Sequence, residues 1–111
     1  MVESSQRYLD NLRIRLIAEK IRKIYNPQKI ILFGSRAYGK PAQSSDIDLL
    51  VIMETELKFY QQAALIRIKL DEEIGAQGSI DILVRTPAFV EERLRAGDVF
   101  LRTVFEKGLD L

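Results

Sequence analysis

The stretch KIILFGSRAYGKPAQSSDIDLLVI, Lys29 to Ile52, decides the architecture. Its first five residues, Lys29 to Phe33, are a β-branched and aliphatic run of strand length, and Asp48-Leu49-Leu50-Val51-Ile52 is a second. Between them lies a glycine-serine turn, Gly34-Ser35, and a polar loop ending in Asp46-Ile47-Asp48. Side chains alternate along a strand, so Asp46 and Asp48 share one face while Ile47 takes the other. Two like charges in one pocket raise each other's pKa unless a cation neutralises them.

Working outward, a helix is expected over residues 4–25. Ile14, Ile17, Ile21 and Ile24 recur at helical spacing as a core face, and Leu9, Leu12 and Leu16 form a second stripe on the same helix. Either both stripes pack within the domain, or the leucine stripe meets a partner chain. The bases Arg7, Arg13, Arg15, Lys20, Arg22 and Lys23 are interleaved around this helix and read as a solvated face. Asn26-Pro27 ends it. Strand one spans about 29–33, strand two about 47–53, and a long helix 57–74 follows, with Phe59, Ala63, Ile66, Leu70 and Ile74 as its core face. Gly75 is placed as a helix-ending glycine. Strand three covers 80–84, Thr86-Pro87 caps a helix over 87–95, and a last helix near 98–107 leads to Gly108 and an extended tail. The expected fold is α/β (α+β), one domain over residues 1–111, with helices and strands alternating around a small mixed sheet.

Composition narrows the chemistry. The 111 residues contain no cysteine and no histidine, which excludes disulfides, thiolate metal sites and the commonest general base. Acid–base work must fall to carboxylates, lysines or metal-bound water. A net charge of +1 gives no nucleic-acid-sized basic field. No apolar run approaches the ~18 residues of a membrane span and no leader pattern opens the chain, so a cytoplasmic protein is expected.

Asp81 opens an otherwise apolar strand, where a carboxylate must be solvated, paired or metal-bound. If strand three neighbours strand two, Asp81 completes a triad with Asp46 and Asp48. Hard oxygen donors favour Mg²⁺ or Mn²⁺. Such a triad can hold two divalent ions and suits in-line phosphoryl or nucleotidyl transfer. Gly34 lets the backbone approach phosphate, and Ser35 opens a short helical turn whose N–H groups face the anion. The run Gly34-x-x-x-x-Gly39-Lys40 imitates a P-loop, but Pro41 stands where the metal-binding hydroxyl belongs. Glu72-Glu73 and Glu91-Glu92 read as solvated helix exteriors.

Phe33-Gly34-Ser35, ten residues, then Asp46-Ile47-Asp48, with Asp81-Ile82-Leu83-Val84 on a later strand, resembles the minimal nucleotidyltransferases of the DNA polymerase β superfamily. The resemblance implies that Asp46 and Asp48 bind both metals and that Asp81 assists the acceptor hydroxyl. It also implies that Gly34 and Ser35 hold the triphosphate of ATP and that Arg36 touches it. Tyr38 stands where many family members carry a second arginine. Members of this size are often encoded beside a helical HEPN-type partner in toxin–antitoxin modules, and some adenylylate a tyrosine of that partner. The expected activity is transfer of AMP from ATP to a hydroxyl. The alternative is a nucleotide-binding antitoxin that masks its partner, and a homo-oligomer is a further expectation.

Overall fold

A computed structural model describes residues 2–39, 46–76 and 78–111, with side chains from Asp10 onward. In chain order the elements are α1 (Val2–Tyr25), β1 (Lys29–Phe33), α2 (Ser35–Tyr38), β2 (Ile47–Ile52), α3 (Phe59–Ile74), β3 (Ile80–Arg85), α4 (Pro87–Arg95), α5 (Val99–Lys107) and β4 (Leu109–Asp110). The sheet runs β3-β2-β1-β4. β1 is antiparallel to β2 and β4, and β2 is parallel to β3. This is the small mixed α+β sheet expected. The expectations for Leu9, and for Lys40, Pro41 and the loop to Ser45, lie outside the described side chains.

The two faces of the sheet build two cores. Ile30, Leu32, Ile47, Leu49, Val51, Ile82 and Val84 pack beneath α1 and α3, against Ile14, Ile17, Ile21, Ile66 and Leu70. Ile31, Phe33, Leu50 and Ile52 pack on the other face against Val90, Leu101 and Val104 of α4 and α5. Period-two alternation therefore serves both sides, and the central strands read as near-continuous apolar runs.

Local signals set the boundaries. Asn26, at φ 47°, leaves α1 in the left-handed region that asparagine tolerates. The Thr86 hydroxyl accepts from the Phe89 N–H at 3.3 Å and Pro87 takes the first helical position. The tail does more than extend: β4 pairs with β1, and Gly108 lets it approach, since a Cβ there would collide with Val104 O and Ile31 Cγ2.

Three core assignments change. Ile24, in the last turn of α1, is only half-buried and stands outside both cores, while Ala18 joins Ile14, Ile17 and Ile21. Phe59 leaves the core face of α3 and meets the Phe89 ring edge-on at 5.1 Å between centroids, with the Arg85 guanidinium over it. Leu12 and Leu16 are each 45% exposed, so among the described residues the leucine stripe does not pack within the domain. The isoleucine stripe of α1 faces the sheet, and a stripe rotated away from it is turned from that core. Glu72, Glu73, Glu91 and Glu92 are exposed, as expected. Among the described residues no helix is long and apolar enough to cross a membrane.

Candidate nucleotide site

Parallel pairing of β2 with β3 sets Asp48 directly opposite Asp81, and antiparallel pairing of β1 sets Phe33 on the other side of Asp48. Adjacent strands lie about 4.8 Å apart, so the two carboxylates leave neighbouring strands side by side. Ile47 is fully buried in the opposite core while Asp48 is half-buried and Asp46 exposed, which is the alternation the sequence requires. The condition for a triad, that strand three neighbours strand two, is met.

The turn after β1 closes the third side. Gly34 has φ 75°, a left-handed value that a Cβ disfavours. A Cβ on Gly34 would also collide with Asp48 Oδ2, so the Asp48 carboxylate lies against the bare glycine backbone. Gly34 O then accepts from the N–H groups of Ala37 at 3.0 Å and Tyr38 at 3.1 Å, which starts α2. No side chain caps that helix at Gly34. Ser35 is thus its first residue, as expected.

Electrostatics mark Asp48. Burial first, then the charges of Asp81 and Asp46, push its carboxyl above the usual carboxylate range. Among the described residues no basic side chain forms an ion pair with Asp46, Asp48 or Asp81. An all-oxygen set with unrelieved repulsion fits a hard divalent cation. The set is a basin rather than a finished cage: among the described residues no three carboxylates converge into a ready metal site.

Arg36 follows the turn in sequence, but its guanidinium is drawn elsewhere. Its Nη1 donates to Asp10 Oδ2 at 3.0 Å and the side chain is 8% exposed, so it ties α2 to α1. Asp10 is not legible in the sequence, because a lone carboxylate among the charges of an amphipathic helix carries no signal of its own. Phe100 is hardly more so. Its ring meets Phe33 edge-on at 5.5 Å, on the sheet face that carries Asp48. One pleat further along that face, Leu50, Leu83, Phe100, Leu101, Arg93 and Asp98 line a cavity of about 270 Å³. The only hint in the sequence was an aromatic side chain in the first turn of a helix, beside an aspartate that caps it.

No curated protein matches the chain. The family described as nucleotidyltransferase domain matches it over residues 14–106, which takes in both strand ends, the turn at Gly34 and all three aspartates. On a match of that extent, carried by a sheet that brings Asp48, Asp81 and Gly34 to one place, the chain belongs to the nucleotidyltransferase domain family.

Proposed function

We propose that the protein transfers AMP from ATP, with Mg²⁺ or Mn²⁺, onto a hydroxyl of a partner protein in a module of toxin–antitoxin type. The observation that supports this most directly is the row Gly34, Asp48, Asp81: a bare glycine backbone against one carboxylate, a second carboxylate beside it, and an open strand edge beyond. Asp46 and Asp48 would hold the metal, whose chemistry is to offset charge on the triphosphate and to favour loss of the acceptor proton. Gly34 and Ser35 orient the triphosphate, with Arg36 bracing their turn against α1. Asp81, exposed on the side away from Gly34, receives the proton of the acceptor hydroxyl. The hydroxyl oxygen bonds to the α-phosphorus, the bond from that phosphorus to the bridging oxygen breaks, and pyrophosphate leaves.

Thermal melts test the site. A ligand that binds only the folded state adds about 2.7 kcal/mol at a hundredfold excess over its dissociation constant. ATP with Mg²⁺ is therefore expected to raise the melting temperature, and ATP with EDTA to raise it much less. Equal melting temperatures would remove the metal–triphosphate reading.

A second reading, a masking subunit for a HEPN-type helical partner, draws on the exposure of Leu12 and Leu16. Both lie on the helix that buries Ile17 and Ile21. Replacing Leu12 and Leu16 by serine is expected to leave the melting temperature within a few degrees, about 1 kcal/mol or less for exposed positions, and to release a co-purifying partner or split a homo-oligomer. Unchanged assembly would place the contact elsewhere.

A further inference from the structure

β3 is an edge strand, and its open side is not uniform. Ile47 N–H donates to Ser79 O at 2.9 Å and Met53 N–H to Arg85 O at 3.1 Å, so the odd-numbered residues of this segment turn their backbone groups toward β2. By the alternation of a parallel ladder, Ile80, Ile82 and Val84 turn theirs to the open edge. Two arginines agree with that phase: Arg67 Nη1 donates to Ile80 O at 2.9 Å, and Arg85 Nη1 to Val84 O at 2.7 Å. The edge that remains offers the N–H groups of Ile80, Ile82 and Val84 and the carbonyl of Ile82. It is rich in donors and flanked by guanidinium groups.

Alongside this edge runs a groove of about 720 Å³ between β3 and the first half of α3, where Ala63 and Ala64 leave room for a main chain. Asp81 lines one end. Lys58 and Arg85 line the other, and the Arg85 guanidinium is fixed there, 5.0 Å from the Phe59 ring centroid and 5.8 Å from that of Phe89. Arg67, near the Asp81 end, is already occupied by Ile80 O, Gly78 O and Asp71. In a pair of such edges the carbonyls of Ile80 and Val84, already taken by arginines, leave donors facing donors, which disfavours self-pairing.

We propose that this edge receives an extended segment of the protein acceptor as an added strand, placing its hydroxyl side chain at Asp81 and an acidic side chain four residues away at Arg85 and Lys58. Strand addition supplies affinity through main-chain hydrogen bonds, and the charged end supplies register. At about 3.3 Å per residue the two ends are about 13 Å apart, which sets the spacing between modified residue and acid. The inference rests on the reading of the site as a transferase acting on a protein hydroxyl.

The test separates docking from chemistry. Isotope-labelled protein, without nucleotide, is titrated with short peptides containing one serine or tyrosine and, four positions away on either side, a glutamate or a lysine. The amide resonances of Ile80, Ile82 and Val84 are expected to move with the glutamate peptides, and the lysine peptides to bind about tenfold more weakly. Arg85→Glu should invert that preference. Because Arg85 also stacks on Phe59 and Phe89, Lys58→Glu at an exposed position is the second variant, with a shift in the same direction. Resonances that move elsewhere or not at all, or equal affinity for both charges, overturn the proposal. The same resonances moving when the protein alone is concentrated would assign the edge to a second copy and overturn it too. Label transfer from ATP to the same peptides is scored separately: docking at the edge without transfer upholds the added strand and counts against the transferase reading.

Discussion

Two places in this fold set a left-handed glycine beside an aspartate, and they have opposite characters. At the end of β1, Gly34 lies against the Asp48 carboxylate, which faces Asp81 and is pushed toward protonation by burial and by like charge. Between α4 and α5, Gly97, at φ 86°, precedes Asp98, which caps α5 by accepting from the Leu101 N–H at 2.9 Å and pairs with Arg93 at 3.1 Å. Those partners, led by the Leu101 N–H, hold the Asp98 carboxyl below its usual range. The cap is complete within the chain, whereas the strand-end aspartates carry a repulsion that no described side chain relieves. A fold keeps such a cluster at a cost to its stability, and a hard cation is the partner that would relieve it.

The largest expected contrast is in activity. Asp48→Asn preserves shape and removes a charge from the proposed metal-binding set, so transfer from labelled ATP should fall about a thousandfold or more. Asp81→Asn should also abolish transfer yet retain more ATP binding, because Asp81 is assigned to the acceptor side. Asp98→Asn should leave transfer unchanged, since asparagine still caps α5. Near wild-type transfer in Asp48→Asn would break the contrast at its strongest point.

The glycines sharpen it. Gly97→Ala meets open space, so only the backbone strain of a left-handed alanine is felt, about 1–2 kcal/mol, with activity retained. Gly34→Ala carries similar strain of about 1–3 kcal/mol and in addition drives its methyl into the Asp48 carboxylate. Its loss of activity at permissive temperature should therefore exceed anything its loss of stability explains. Equal losses in the two variants would mean that Gly34 serves the turn alone.

Much of this was legible in residue pattern because it is local. The strand-loop-strand of Lys29 to Ile52, the Thr86-Pro87 helix start and the pairing of a glycine turn with Asp46 and Asp48 are all written within a few residues of one another. What was not legible depends on contacts distant in sequence. That Asp81 stands opposite Asp48 follows from which strands pair, and the sequence stated it only as a condition. The family resemblance implies a phosphate contact for Arg36, but a carboxylate on α1 is within its reach. Phe59 has the spacing of a core residue, and a ring and a guanidinium from a neighbouring segment draw it out. The exposure of Leu12 and Leu16 depends on which elements pack against α1, which periodicity does not encode.

The smallest effect is the dependence of stability on pH, and it has opposite signs at the two aspartates. For Asp48 the folded-state pKa lies above the ordinary value of 3.8, so the folded chain binds the proton more tightly than the unfolded one. Below 3.8 the group is neutral in both states and has no effect. As pH rises from there through the raised folded value, a penalty develops that stays constant toward neutrality. In EDTA, Asp48→Asn should therefore be more stable than the wild type at pH 7, with the advantage shrinking as pH falls toward 3.8. For Asp98 the folded value is lowered. Its contribution is complete above 3.8 and is lost as pH falls through the folded value, so Asp98→Asn should be less stable at pH 7 and converge with the wild type in acid. Denaturant melts of both variants across this range, in EDTA, measure the two differences. Adding Mg²⁺ with ATP at pH 7 should then reverse the order at Asp48, favouring the wild type, and leave Asp98 unaffected. If Asp48→Asn gains no stability in EDTA, the repulsion is already relieved within the chain, and the contrast between the two aspartates loses its meaning.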